Sequence, residues 1–386
     1  MSDRAFGSGP GRVLAASRAP GFAFAAMGVV WGSFAAMVPE AKATIGADDA
    51  TWGLVLLASA AAGIGAMLVA PRVGAVLGRW ALPAATLAMG LAFAVPGQAG
   101  AIWAFGLGMA LIGLGSGLLD VLMNARVATI ETERDMHLMN LAHGLYSLAY
   151  AGGAMATGLA RSLGAGPAEV FSAGALLIVL MAAGTLERDG RIAGLRRQAG
   201  AAGKLGWVPV LGGAVILIAF LAENAAEVWS ALHIERSLGG SPAEGSSGPA
   251  LLGLTMAAGR LAGQALISRL PEARVLRVAL VVAAAGAALA ALAPTPLVAQ
   301  AGFVVLGLGV SVVAPMALAI IGRLASETTR ARAIARASVI GYMGFFLGPP
   351  ALGLLAEAFG LVASFLAVAA MLIVALPLVA VLLRRG

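Results

Sequence analysis

The sequence predicts an all-α polytopic membrane protein, twelve transmembrane helices arranged as two six-helix bundles. Three observations predict it. Twelve apolar stretches of roughly 17–25 residues, the length that crosses a bilayer core, follow one another along the chain. Positive charge is concentrated in alternate gaps between them. Sequence words of the first half return in the second at an offset of 194 residues. Hydrophobic residues make up 60% of the chain and charged residues 11%, with a mean hydropathy of +0.95. A soluble domain carries about 25% charged residues, and no soluble core of 386 residues needs so much apolar surface.

At 1.5 Å rise per residue, about 20 apolar residues cross the hydrocarbon layer. The first half offers spans near 20–39, 52–70, 81–97, 101–123, 140–160 and 168–186. The second offers 207–230, 248–268, 277–293, 298–321, 334–355 and 361–382. Gly63 and Gly65 in span two, Gly152, Gly153 and Gly158 in span five, and Gly307 and Gly309 in span ten suit close helix approach. Pro39, Pro315, Pro349 and Pro350 lie in or at the ends of spans, where a missing backbone hydrogen bond permits a kink.

Positively charged loops are retained on the cytoplasmic side. Of 25 Lys and Arg, 21 fall in one set of gaps, from Arg4, Arg12 and Arg18 at the start to Arg384 and Arg385 at the end. The other set holds only Lys42, Arg161 and Arg236, and Arg260 stands inside span eight. Both termini are therefore expected in the cytoplasm. The net charge of +7 is spread over seven segments and reads as a topology signal, not as a nucleic-acid face. Two lysines beside many arginines, with abundant Ala and Gly, suggest a GC-rich bacterial genome.

The word starting at Gly113 (Gly-Leu-Gly-Ser-Gly-Leu-Leu-Asp-Val-Leu-Met-Asn-Ala) returns in related form at Gly307. In the following span Gly153 and Gly158 align with Gly348 and Gly353. A match over two consecutive helices indicates a duplicated six-span unit. The expected division is a first bundle over 1–186, a polar, Arg-rich cytoplasmic linker over 187–206, and a second bundle over 207–386.

Several function classes find no support. There is no cysteine, so thiol nucleophiles and Cys metal sites do not arise. His137, His143 and His233 are too scattered for a metal cluster. No GxxxxGK[ST] word occurs, and no nucleophile with a base stands in the spans, so neither ATP-driven transport nor an intramembrane enzyme is expected. No cofactor is implied. The basic N-terminal tail before an apolar run could be taken for a secretory leader, but the eleven later spans argue against cleavage.

Four words carry a resemblance: Gly-Leu-Leu-Asp-Val-Leu-Met-Asn-Ala (117–125), His-Gly-Leu-Tyr-Ser-Leu (143–148), Glu-Asn-Ala-Ala-Glu-Val-Trp-Ser (223–230) and Gly-Tyr-Met-Gly-Phe-Phe-Leu-Gly-Pro-Pro (341–350). With these words and its parallel six-helix repeat, the chain resembles the major facilitator superfamily over nearly its whole length. Within it, the resemblance is to the branch of the inner-membrane protein YbjJ, near the fucose-permease-like sugar transporters. The resemblance implies a monomeric solute carrier working by alternating access, and a cavity lined by spans one, four, seven and ten. That geometry adds Trp31 and Ser33 from span one and Ser311 from span ten as candidates. The chain departs from the superfamily's gating motif: 69–79 reads Val-Ala-Pro-Arg-Val-Gly-Ala-Val-Leu-Gly-Arg without the acidic member, and 259–269 has Gln264 where related chains often carry Asp.

An ionisable group within a span costs about 2.5–3.5 kcal/mol on insertion scales, so each one asks for a partner or a task. Asp120 and Asn124 lie one turn apart near the cytoplasmic end of span four, with Ser116 a turn further in. His143, Ser147 and Tyr150 form a stripe near the start of span five, at similar depth. An Asp120–His143 contact would make either a structural knot or a protonation switch. In span seven Glu223 and Glu227 share a face at i, i+4, with Asn224 beside them. Two carboxylates that close repel when both are ionised, so one is suited to hold a proton. Arg260 is the obvious counter-charge, and its alternative is a gate residue nearer the cytoplasm.

The resulting expectation is a secondary active transporter of a small solute, with protons as the favoured coupling partner, embedded in lipid and binding no nucleic acid. Efflux of amphipathic drugs or metabolites is one alternative, and a membrane sensor or assembly factor on the same scaffold is another.

Overall fold

The computed structural model describes residues 10–136, 138–192, 205–267, 270–326 and 329–384. His137, Arg4, Arg269, Arg385 and the linker residues Arg196, Arg197 and Lys204 lie outside the described residues, as does the side chain of Gln264. The described residues are helical almost throughout and contain no strand. In order, the helices are α1 (Pro10–Thr44), α2 (Asp49–Leu77), α3 (Ala81–Ala94), α4 (Ile102–Arg134), α5 (Met139–Ser162) and α6 (Pro167–Gly184). They are followed by α7 (Val208–Leu232), α8 (Pro242–Ile267), α9 (Glu272–Ala291), α10 (Pro296–Val310), α11 (Val313–Leu324) and α12 (Arg330–Arg384).

Twelve helices are not one-to-one with the twelve expected crossings. Span ten is divided into α10 and α11 at Ser311–Val312, next to Pro315, whose missing N–H leaves the Ser311 carbonyl without its helical donor. By contrast, α1 runs through Pro39 unbroken to Thr44. Spans eleven and twelve run together as the 55-residue α12, interrupted only at Gly360, whose φ of 83° and ψ of 166° are open to glycine but not to L side chains. Gly78, at φ 55°, separates α2 from α3 in the same way. Among the described residues eight stretches are long and apolar enough to cross a membrane, and two of them, of 50 and 53 residues, are double crossings around these glycines. The more polar α5 and α8, of 24 and 26 residues, complete the twelve.

The chain forms two compact units. The first comprises residues 1–33, 58–153 and 165–197, and the second 34–57, 154–164 and 198–386. In the first, α3 packs on α4 and α6, with Phe93 against Phe171 at 4.9 Å between ring centres. A Cβ at Gly113 or Gly117 of α4 would run into the backbone of Ser59 or Gly63 in α2, so these two helices touch main chain to main chain. Glu131, near the end of α4, accepts from the backbone N–H groups of Leu138 and Met139 at 2.5 and 2.8 Å and so caps the start of α5.

In the second unit α12 packs along α7, and α10 along α8 and α9. Phe303 of α10 meets Phe365 of α12 edge-on at 5.3 Å. A Cβ at Gly307 would strike the Thr255 hydroxyl of α8. Gly307 is the repeat partner of Gly113, so the close α4–α2 approach of the first half recurs as the α10–α8 approach of the second. The duplication read from sequence thus has a packing counterpart.

Candidate functional site

The acidic face of α7 lies within the second unit. Phe220, Glu223, Asn224 and Glu227 fall at i, i+3, i+4 and i+7, within one helix face. Arg260 of α8 reaches it: its Nη2 stands 3.6 Å from Glu223 Oε1, with the Glu223 side chain 13% and the Arg260 side chain 34% exposed. Glu227, one turn along, makes no ion pair or hydrogen bond among the described residues, and so shares the nearby Arg260 charge with Glu223 only at longer range. Asn224 is buried, and its Oδ1 has no hydrogen-bond partner among the described residues; it points at Gly348 of α12, where an added Cβ would come within 3.1 Å.

Aromatic rings continue this face, and sequence reading missed them. Phe220 lies 4.8 Å from Phe345 and 5.5 Å from Tyr342, centre to centre. Phe220 stands one turn before Glu223, a spacing that could have flagged it. Its two partners come from α12, far along the chain, and only the fold brings them in.

The α4 candidates lie in the first unit. Asn124 Nδ2 donates to the Asp120 carbonyl at 2.8 Å and to Asp120 Oδ1 at 3.2 Å, so the amide serves the carboxylate from its own helix. Ser116 Oγ is buried without a partner among the described residues. His143 of α5 sits edge-on against Phe24 at 4.9 Å. Trp31 is half-buried on α1, whereas Ser33 is buried and donates weakly to the Gly153 carbonyl at 3.5 Å. Ser311 is buried too, donates to the Leu308 carbonyl at 2.8 Å and faces Gly259, a packing arrangement that closes the gap between α10 and α8.

Residues 212–386 match the family model described as the Major Facilitator Superfamily. An uncharacterised MFS-type transporter of Yersinia pestis is 30% identical over 364 residues, 91% of each chain. The chain belongs to the major facilitator superfamily. Membrane protein MosC of Rhizobium meliloti is likewise 30% identical, over 91% of this chain and 86% of its own. Among solved structures, a bacterial homologue of the human lysosomal transporter Spinster, inward-facing and occupied, superposes with a TM-score of 0.76 at 17% identity, covering 98% of both chains. A variant of the nucleoside transporter NupG gives 0.77 at 13% identity, over 94% of this chain and 98% of that one. These likenesses establish the facilitator fold, and the family makes the chain a membrane transporter and not an enzyme.

This facilitator carries a second charged cluster, also within the second unit, where the ends of α1, α5 and α7 meet the starts of α2 and α8. Arg161 of α5, its side chain 1% exposed, clasps Glu235 through both terminal nitrogens at 2.8 and 2.7 Å. It also donates to the Ala36 carbonyl at 2.8 Å and pairs with Glu40 at 3.3 Å. Asp49, at the first turn of α2, receives Arg236 through both carboxylate oxygens at 2.8 and 2.5 Å and Lys42 at 2.9 Å. The Asp49 backbone N–H is in turn taken by Glu357 of α12 at 2.9 Å. Glu235 and Arg236 are sequence neighbours on the π-helical turn His233–Ser237 that follows α7, and consecutive side chains of a helix point in different directions, so each reaches its own partner. Lys42, Arg161 and Arg236 are the three cations that fell in the charge-poor gaps. Each is neutralised in this cluster, which offsets the bias against positive charge there.

Proposed function

We propose that this facilitator is a proton-coupled secondary active transporter that carries a small solute across a bacterial cytoplasmic membrane by alternating access. In this reading it acts as a monomer, keeps both termini in the cytoplasm, and divides into six-span bundles over 1–186 and 207–386 joined by the linker 187–206. It falls in the YbjJ-like branch near the fucose-permease-like members. The Glu223–Arg260 pair carries the reading. Protonating Glu223 removes the attraction that holds Arg260 at 3.6 Å, and deprotonation restores it. Glu227 beside it raises the cost of a second negative charge, so the face is suited to hold one exchangeable proton.

Asp120, with Asn124 beside it, and His143 stand as further proton-coupling candidates, and Trp31 is a candidate solute contact. The Arg161–Glu235 and Arg236–Asp49 clasps join helix ends that alternating access must separate, and they are read as the outer closure. The rings of Phe220, Tyr342 and Phe345 beside the carboxylates favour an amphipathic solute, which keeps the efflux reading in play.

A thermal-shift screen of the purified protein against sugars, amino acids, organic ions and drugs, at about pH 5.5 and about pH 7.5, tests this. The expected result is a ligand whose stabilisation depends on pH in the native chain and loses that dependence in Glu223→Gln. A ligand with unchanged pH dependence in the variant moves coupling to Asp120 and His143. A panel without a single stabilising ligand favours the sensor reading.

A further inference from the structure

A cavity of about 260 Å³ opens at the arginine-rich end of the first unit, between the α2–α3 turn and the segment after α6. It is lined by Arg79, Trp80, Leu186, Glu187 and Arg188. That volume is near the lower end for ligand sites, enough for a compact polar group and small for a whole solute. The single acid in the lining is already engaged. Glu187 receives Arg126 from α4 through Nε at 2.8 Å and Nη2 at 3.1 Å. Among the described residues neither Arg79 nor Arg188 has an ion-pair partner, so the cavity presents two uncompensated guanidinium groups.

Its surroundings are apolar and exposed. Trp80 is 52% exposed and has the Arg79 guanidinium 5.2 Å from its ring centre. Val76, 84% exposed, and Leu77 on the last turn of α2, with Leu186 opposite, leave bare hydrocarbon beside the charges. A half-exposed Trp with two arginines at a span end is the arrangement found at the headgroup level of a bilayer. A soluble anion would use the charges and leave that wall against lipid tails. A phospholipid uses both.

We propose that this cavity is a binding site for the phosphate headgroup of an anionic phospholipid, held by Arg79 and Arg188, with its acyl chains along Val76, Leu77 and Trp80. The two guanidiniums take the phosphate oxygens by charge-assisted hydrogen bonds, and the site is distinct from the α7 face that the transport reading uses.

Native mass spectrometry of delipidated full-length protein in detergent tests it, with dioleoyl phosphatidylglycerol, dioleoyl phosphatidylcholine and inorganic phosphate as separate probes. Phosphatidylglycerol is expected to bind at one saturable site and to weaken roughly tenfold in Arg79→Gln/Arg188→Gln, about 1.4 kcal/mol. The equal charge loss in Arg12→Gln/Arg277→Gln should leave it unchanged. Should the double variant fold poorly, the native chain suffices: raising salt from about 0.05 to about 0.5 M must weaken phosphatidylglycerol and not phosphatidylcholine. Equal affinity for phosphatidylcholine, indifference to the two arginines, or competition by inorganic phosphate at the lipid's own concentrations would each overturn the proposal, the last by making it a small-anion site.

Discussion

Arg126 and Arg161 are both buried guanidinium groups that grip a carboxylate with two nitrogens, yet they do different work. Arg126 of α4 holds Glu187 together with the Asp189 and Arg191 carbonyls at 2.8 and 2.7 Å, all within the five residues 187–191. Its partners are one connecting segment, so it fixes where the chain goes after α6. Arg161 gathers Glu235, Glu40 and the Ala36 carbonyl from two helix ends, those of α7 and α1, each more than 70 residues from Arg161 along the chain. Similar chemistry therefore secures a loop in one place and fastens several helix ends together in the other. The second kind of bond must be broken for the helix ends to part.

Arg161→Ala should have the largest effect. Removing one member of a buried pair leaves the other uncompensated and costs about 3–5 kcal/mol, read as a fall in Tm and in folded yield. Because the chain has no native cysteine, a single cysteine placed at Glu227 can report access with a membrane-impermeant maleimide. The milder Arg161→Gln should speed that labelling.

Arg126→Ala should destabilise less, by about 1.5–3 kcal/mol for lost charge-assisted hydrogen bonds, since Glu187 stands on a connecting segment that can turn toward water once it is released. It should leave the labelling rate at position 227 unchanged. Equal labelling in both backgrounds would erase the distinction drawn between them.

The Glu223–Arg260 pair extends the comparison to a less buried site. Glu223→Gln should cost about 1–2 kcal/mol, below the intramembrane figure for an unpaired charge because Arg260 is a third exposed. Glu223→Leu/Arg260→Leu should recover most of the lost Tm without recovering coupled transport. Smallest of all, Asp120→Asn should change stability by under about 1 kcal/mol, because its hydrogen bond comes from Asn124 on the same helix and no cation is stranded. A fall as large as that of Glu223→Gln would mean a partner for Asp120 beyond Asn124.

These contrasts mark what the sequence makes legible. Hydropathy and the charge count point to the crossings, and the Gly113 and Gly307 words to the duplication, whereas the backbone each of these glycines meets is seen only in the fold. Lys42, Arg161 and Arg236 stand out as misplaced cations, and Arg260 as a counter-charge for Glu223. Their partnerships are another matter. Asp49 and Glu357 lie 308 residues apart, and no local pattern encodes such a meeting. The separate partners of Glu235 and Arg236 depend on packing, and the breaks at Gly78 and Gly360 look in sequence like any of the other glycines. The aromatic neighbours of Phe220 come from α12 for the same reason.

The central claim is that Glu223 carries the coupling proton. The direct measurement is solute movement in proteoliposomes, using the ligand found by thermal shift, with native chain and Glu223→Gln compared in two modes. Solute exchange at equal pH on both sides should survive in the variant, while accumulation driven by a pH gradient should be lost. Gradient-driven accumulation equal to that of the native chain would contradict the account.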